Sequence, residues 1–112
     1  MKIAVIGSRG LEIDDLGKYL PEDTTEIILG GSESINRCTK RYARKRRIKL
    51  IKPLPDSKFF AGADHADRET QIVDYADLVI AFWDGRSKGT KSIIDLCNEM
   101  EVKVRVYIAE PY

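Results

Sequence analysis

The sequence predicts an α/β protein: one Rossmann-like, three-layer domain on a five-stranded parallel sheet of order 3-2-1-4-5. Three observations carry this expectation. Short apolar runs alternate with stretches of helical periodicity from end to end, the pattern of consecutive βαβ units. Glycine-bearing loops follow three of the apolar runs. The runs Lys2–Ile6 (KIAVI) and Leu78–Phe82 (LVIAF) are apolar nearly throughout, as in strands covered on both faces, whereas Lys103–Ile108 (KVRVYI) alternates like an exposed edge.

Taken in order, Lys2–Ile6 is the first strand and ends at Gly7-Ser8-Arg9-Gly10. Leu11–Leu20 is expected to be a helix, with Ile13, Leu16 and Leu20 at helical spacing and Pro21 as its stop. Glu26–Leu29 (EIIL) is the second strand and runs into Gly30-Gly31. Ser34–Arg47 is the second helix, with Ile35, Cys38, Tyr42 and Ala43 as its apolar stripe. Ile48–Ile51 is a third strand, short and closed by Pro53 and Pro55, which suits an edge. Residues 53–63 read as irregular, and Asp64–Ala76 as a helix with Ala66, Val73 and Ala76 inward. Leu78–Phe82 is the fourth strand. Thr90–Met100 is the last helix, with Ile93, Ile94, Cys97 and Met100 on one face, and Lys103–Ile108 is the fifth strand. Central strands 1 and 4 with right-handed crossovers give the order 3-2-1-4-5. Direction reverses between strands 1 and 4, and ligands of such sheets bind beyond the strands' carboxyl ends at that point.

Composition bounds the rest. With 112 residues, 43% hydrophobic and 33% charged, residues 1–112 form a single globular domain. The longest apolar stretch, Leu78–Trp83, falls far short of the ~20 residues that cross a bilayer, so no membrane is expected. The amino terminus runs straight into a strand pattern without the marks of a signal peptide, which makes the cytoplasm the expected compartment. Cys38 and Cys97 lack CxxC spacing and read as reduced, buried thiols. His65 reads as a solvated or capping residue, and no cluster of metal-ligand type occurs; no metal and no cofactor is expected.

The chemistry is expected at three loops on the carboxyl side of the sheet: Gly7-Ser8-Arg9-Gly10, Gly30-Gly31-Ser32-Glu33-Ser34 and Asp84–Thr90. Glycine lets the backbone approach a ligand closely. The helix after such a loop offers unpaired N–H groups and partial positive charge, a combination suited to phosphate. Ser8, Ser32, Ser87 and Thr90 add hydroxyls, and Arg9 and Lys88 add charge. The expected ligand-binding residues are therefore Gly7, Ser8, Arg9, Gly30, Gly31, Ser32, Asp84, Gly85, Ser87, Lys88, Gly89 and Thr90. Neither GxGxxG nor GxxxxGK[ST] is present, so neither an ordinary dinucleotide fold nor a P-loop is supported. Trp83 closes strand 4 and reads either as a platform for a nucleobase or as a cover for the sheet end.

The segments MKIAVIGSRG, IILGGSESIN and ADRETQIVDYADLVIAFWDGRSKGTKS, in that order, resemble the SLOG superfamily. That group includes the LOG-type nucleotide phosphoribohydrolases and the DprA/Smf DNA-processing proteins; the small stand-alone YspA-like branch is the most similar. The resemblance covers nearly the whole chain. It implies a Rossmann-like domain that binds a nucleotide or nucleotide-derived ligand at these loops, and it adds Arg68 as the counterpart of an arginine on the helix before strand 4. Two departures bear on activity. LOG-type enzymes carry PGGxGTxxE, whose glutamate helps to break the N-glycosidic bond; here Gly89-Thr90 is kept, Trp83-Asp84-Gly85 precedes it, and Ile93 stands at the glutamate's place. YspA-like sequences read GGAxGxD where this chain has Gly30-Gly31-Ser32-Glu33-Ser34-Ile35-Asn36. Asn36 can hydrogen-bond a ribose hydroxyl but is no general base.

Glu69, Asp84 and Glu33 remain as candidate acids or bases, and each also has a structural reading as a solvated, turn-forming or helix-capping carboxylate. The leading expectation is ligand binding, as a sensor or with weak processing activity. The alternatives are a LOG-like hydrolase and a DNA-associated protein. The last rests on Arg37–Lys49, where eight basic residues and no acid occupy thirteen positions. That run reads as a solvated face, as a contact within a homo-oligomer, or as a nucleic-acid surface, although Tyr42 alone interrupts it with an aromatic ring.

Overall fold

β1 (Lys2–Gly7), β2 (Glu26–Leu29), β3 (Lys49–Ile51), β4 (Leu78–Trp83) and β5 (Lys103–Ile108) form one parallel sheet of order β3-β2-β1-β4-β5. The computed structural model describes residues 1–53 and 66–109. Three α-helices connect the strands among those residues: α1 (Glu33–Arg46), α2 (Ala66–Tyr75) and α3 (Lys88–Glu99). His65, Asp64 and most of the stretch expected to be irregular lie outside the described residues.

Burial follows the composition of each strand. Ile3, Ala4, Val5 and Ile6 of β1 and Val79, Ile80 and Ala81 of β4 are wholly buried. Odd residues of β1 face one layer and even residues the other, as the two-residue period of a strand requires. Ile3 and Val5 join Ile27, Ile80 and Phe82 against Ile35 and Ala43 of α1. Ala4 and Ile6 join Ile28, Val79 and Ala81 against Ile72 and Val73 of α2 and Ile93 and Cys97 of α3. β5 forms the outer edge, with Val106 and Ile108 exposed.

The helix expected over Leu11–Leu20 does not form. That segment holds only a single 3-10 turn, Leu16–Lys18. Asp14 and Asp15 compete for backbone hydrogen bonds, and Gly17 weakens helical propensity further. Gly17 also lies against Tyr42 of α1, where a Cβ would meet the ring at 3.2 Å. The apolar residues still turn inward: Leu16 and Leu20 are buried in the α1 layer, Ile13 is half-buried against it, and Leu11 is buried there as well. Tyr19 packs edge-on against Phe82 and Tyr107, at ring separations of 5.1 and 4.7 Å.

The stripe of α1 is Ile35, Thr39 and Ala43, with Cys38 and Tyr42 half-buried at its margin. Thr39 is tolerated in the core because its hydroxyl donates to the Ile35 carbonyl at 2.8 Å. Cys38 is thus not a core residue, whereas Cys97 is; burial pushes the Cys97 thiol up to about 11, so it stays protonated. No helix among the described residues is long and apolar enough to cross a membrane.

Candidate functional site

Three strand ends meet at the carboxyl edge of the sheet, and a web of short polar contacts ties their loops together. The amide of Ser8 donates to the Phe82 carbonyl at 2.9 Å, which joins the loop after β1 to β4. Ser8 is buried, and its hydroxyl lies 3.2 Å from that of Thr90 and accepts the Asp84 amide at 3.2 Å. Ser32 crosses from the loop after β2 and donates its hydroxyl to the Ser8 carbonyl at 3.1 Å. The Gly31 amide donates to Asn36 Oδ1 at 3.0 Å, so Asn36 serves the loop's own geometry.

The loop after β4 is organised by Asp84. Its Oδ1 accepts from the amides of Arg86 and Ser87 at 2.8 and 2.7 Å, and Gly85 supplies a left-handed turn at φ 82°. Those bonds, that of Ser87 first, hold the carboxyl below the usual aspartate range. The anchor is complete at neutral pH and is lost only as pH falls below that range. The indole of Trp83 donates to the Ser87 carbonyl at 3.0 Å and stiffens the same turn.

Beneath these loops lies a cavity of about 420 Å³, within the size range typical of ligand sites. The loop after β1 contributes Gly7, Ser8 and Arg9, and the loop after β2 contributes Gly30, Gly31 and Ser32. α2 presents Arg68 and Glu69, and the start of α3 presents Ser87, Gly89 and Thr90. Ile6, Ile72 and Ile93 form an apolar floor. Asp84, Gly85 and Lys88 are not part of the wall, and neither are Trp83 and Glu33. Asp84 and Trp83 instead build the turn that sets the position of α3.

Sequence reasoning missed the floor. Ile6 read only as a strand residue, and Ile72 gave no separate signal beside Val73. Ile93 reads as part of the last helix's apolar face and as the residue at the glutamate's place, and neither reading marks it as a ligand surface. All three belong to the core layer under α2 and α3, so their sequence signature is that of ordinary packing.

The glycines divide into two kinds. A Cβ on Gly7 or Gly31 would come within 2.6 Å of the buried Ile35 side chain. Packing alone therefore demands glycine at both positions. Gly89 meets no atom within 4 Å and has no left-handed backbone, so neither packing nor conformation explains it. In a helix, glycine costs about 0.5–1 kcal/mol relative to alanine.

Two cations and one carboxylate define the electrostatics. Arg9 and Arg68 are exposed at the rim. Among the described residues that line the cavity Glu69 is the only acid; its Oε2 accepts from Ser92 Oγ at 2.9 Å, a bridge between α2 and α3. Neither Ser32 nor Ser87 caps the following helix with its side chain. The first amides of α3, beside Gly89 and Thr90, thus remain donors with no partner inside the helix. Hydroxyls, uncapped amides and arginines over an apolar floor suit a ligand with an anionic group and a flat or apolar body. Among the described residues no group of three His, Cys, Asp or Glu side chains is placed to hold a metal ion. The chain matches no family model, no curated protein and no solved structure.

Proposed function

We propose that the chain binds a nucleotide or nucleotide-derived ligand in this cavity, as a sensor or a weakly processing protein of the SLOG kind. One observation carries the reading: the uncapped start of α3, the buried Ser8–Thr90 hydroxyl pair and two arginines surround one cavity at the switch point of the sheet. The phosphate lies against Ser8, Gly89 and Thr90, where helix amides and partial positive charge favour it. Arg9 and Arg68 neutralise the remaining charge, and Ile6, Ile72 and Ile93 face the apolar part of the ligand.

Thermal-shift measurements with nucleoside phosphates and ADP-ribose-like compounds test this. A ligand at about 100 times its dissociation constant stabilises by ~2.7 kcal/mol. For a domain of this size that raises the melting temperature by roughly 10 °C. A panel of nucleoside phosphates at millimolar concentration that leaves the melting temperature unchanged would overturn the proposal.

Glu69 favours a second reading, an N-glycosidic hydrolase, because it is a carboxylate on the cavity wall with one oxygen already held by Ser92. Ile93 occupies the place of the LOG-type glutamate, however, and a hydrocarbon can neither accept a proton nor stabilise an oxocarbenium ion. Release of free base from nucleoside monophosphates is therefore expected to fall well below ~1 per second. Turnover above that rate, abolished by Glu69→Gln, would place the chain among the hydrolases instead.

A further inference from the structure

The basic run identified in the sequence forms the solvent side of α1, on the opposite layer from the cavity. Arg37, Lys40, Arg41, Arg44, Lys45, Arg46 and Arg47 are all exposed. At about 100° per residue, Arg37, Lys40, Arg41 and Arg44 share a strip about 100° wide and roughly 10 Å long. Ile35, Thr39 and Ala43 lie on the far side of the helix, buried against the sheet.

Ordinary causes explain only part of this strip. The helix macrodipole favours cations in the last turn, which accounts for Arg44, Lys45 and Arg46. It does not account for Arg37, Lys40 and Arg41, which sit further toward the amino end. Intramolecular pairing does not account for them either. Among the described residues, the acid bridged to this helix is Glu33, which meets Arg37 at 3.7 Å with both side chains well exposed, and such a pair contributes little. Asp14 and Asp15 approach the helix from the 3-10 segment, but they border Arg41, Lys45 and Arg46 on one flank only.

We propose that this face of α1 docks the phosphodiester backbone of nucleic acid, without reading base sequence. The chemistry selects that partner over other polyanions. Arginine outnumbers lysine in the run, and its planar fork matches phosphate oxygens in pairs. The strip presents cations at three- and four-residue intervals, one helical turn apart, which suits a partner with charge repeated along a line. A membrane-surface helix needs a free apolar face, and here that face is buried in the core. A protein partner needs an apolar anchor among the charges, and the strip has none. Tyr42, the nearby ring, is half-buried with the Arg46 guanidinium 5.8 Å from its centre. It is therefore not a platform for stacking bases, which is why no sequence preference is expected.

The test is fluorescence anisotropy of the whole protein with a labelled oligothymidine and with a duplex of equal length, over a salt series. Both are expected to bind at low salt. For four or five phosphates neutralised on a single strand, affinity falls about 50- to 130-fold between about 50 and 200 mM salt. The combined change Arg37→Glu, Arg41→Glu and Arg44→Glu is expected to weaken binding more than about 10-fold, without moving the melting temperature by more than a few degrees. The milder Arg37→Gln, Arg41→Gln and Arg44→Gln set flattens the single-strand salt slope by about 2. Four results would overturn the proposal: no binding of either probe at low salt; affinity indifferent to both variant sets; attachment to phosphatidylserine vesicles but to neither oligonucleotide; or a low-salt dimer dispersed by the charge reversal with no oligonucleotide bound. None of these depends on whether the cavity binds a nucleotide.

Discussion

Replacing Arg68 by alanine is expected to weaken nucleotide binding by about 10- to 100-fold while the protein stays folded. The side chain is exposed on α2 and borders the cavity, so its removal leaves no void in the core. A hydrogen bond to a charged group contributes about 1.5–3 kcal/mol, and each 1.4 kcal/mol is a factor of about 10 in affinity. Arg41→Glu with Arg44→Glu reverses more charge, yet lies in the opposite layer. Beyond ~8 Å, exposed charges are screened at physiological salt, so that pair is expected to leave nucleotide affinity within about 2-fold of the wild type. Calorimetric titration of the three proteins with a nucleotide that stabilises the wild type measures both effects.

Gly31→Ala is expected to lower the melting temperature by roughly 5–15 °C. Its Cβ would stand 2.6 Å from Ile35 Cγ2 and 2.9 Å from Ile35 Cβ, closer than carbon atoms approach. Ile35 is 1% exposed and is packed by Ile3, Val5 and Phe82 in the same layer, so it cannot retreat to solvent. Overpacking of this kind costs about 1–3 kcal/mol. The clash names its own remedy. Ile35→Ala alone leaves a cavity and costs about 2–5 kcal/mol, but combined with Gly31→Ala it removes Ile35 Cγ2, the nearer of the two atoms struck, and the space left lets the remaining Cβ contact at 2.9 Å relax. The double variant is therefore expected to be less destabilised than the sum of the two single changes, and simple additivity in thermal unfolding would contradict the packing described.

That pair also shows where the sequence was informative. Strand order was legible because Ile3–Ile6 and Leu78–Phe82 carry no polar residue, which only a doubly covered strand tolerates, and because Lys103–Ile108 alternates. The 3-10 turn was not, because Ile13, Leu16 and Leu20 keep a helical spacing while Asp14, Asp15 and Gly17 prevent the helix. At the cavity, the loops in the sequence point to the serines, Arg9 and Gly89-Thr90 around one edge, and the resemblance adds Arg68. It could not separate Gly7 and Gly31, which serve Ile35, from Gly89, which serves no contact, since all three read alike as glycine after a strand or at a helix start. Nor could it show that Asp84 is committed to its own turn, because that depends on two backbone amides meeting one oxygen.

A nuclear magnetic resonance titration of backbone amides with a stabilising nucleoside phosphate locates the ligand. Saturable shifts are expected at Ser8, Arg9, Ser32, Gly89 and Thr90, with amides on the solvent side of α1 near Arg41 and Arg44 unmoved. Shifts confined to α1, or spread over the surface without saturation, would rule out binding in the cavity.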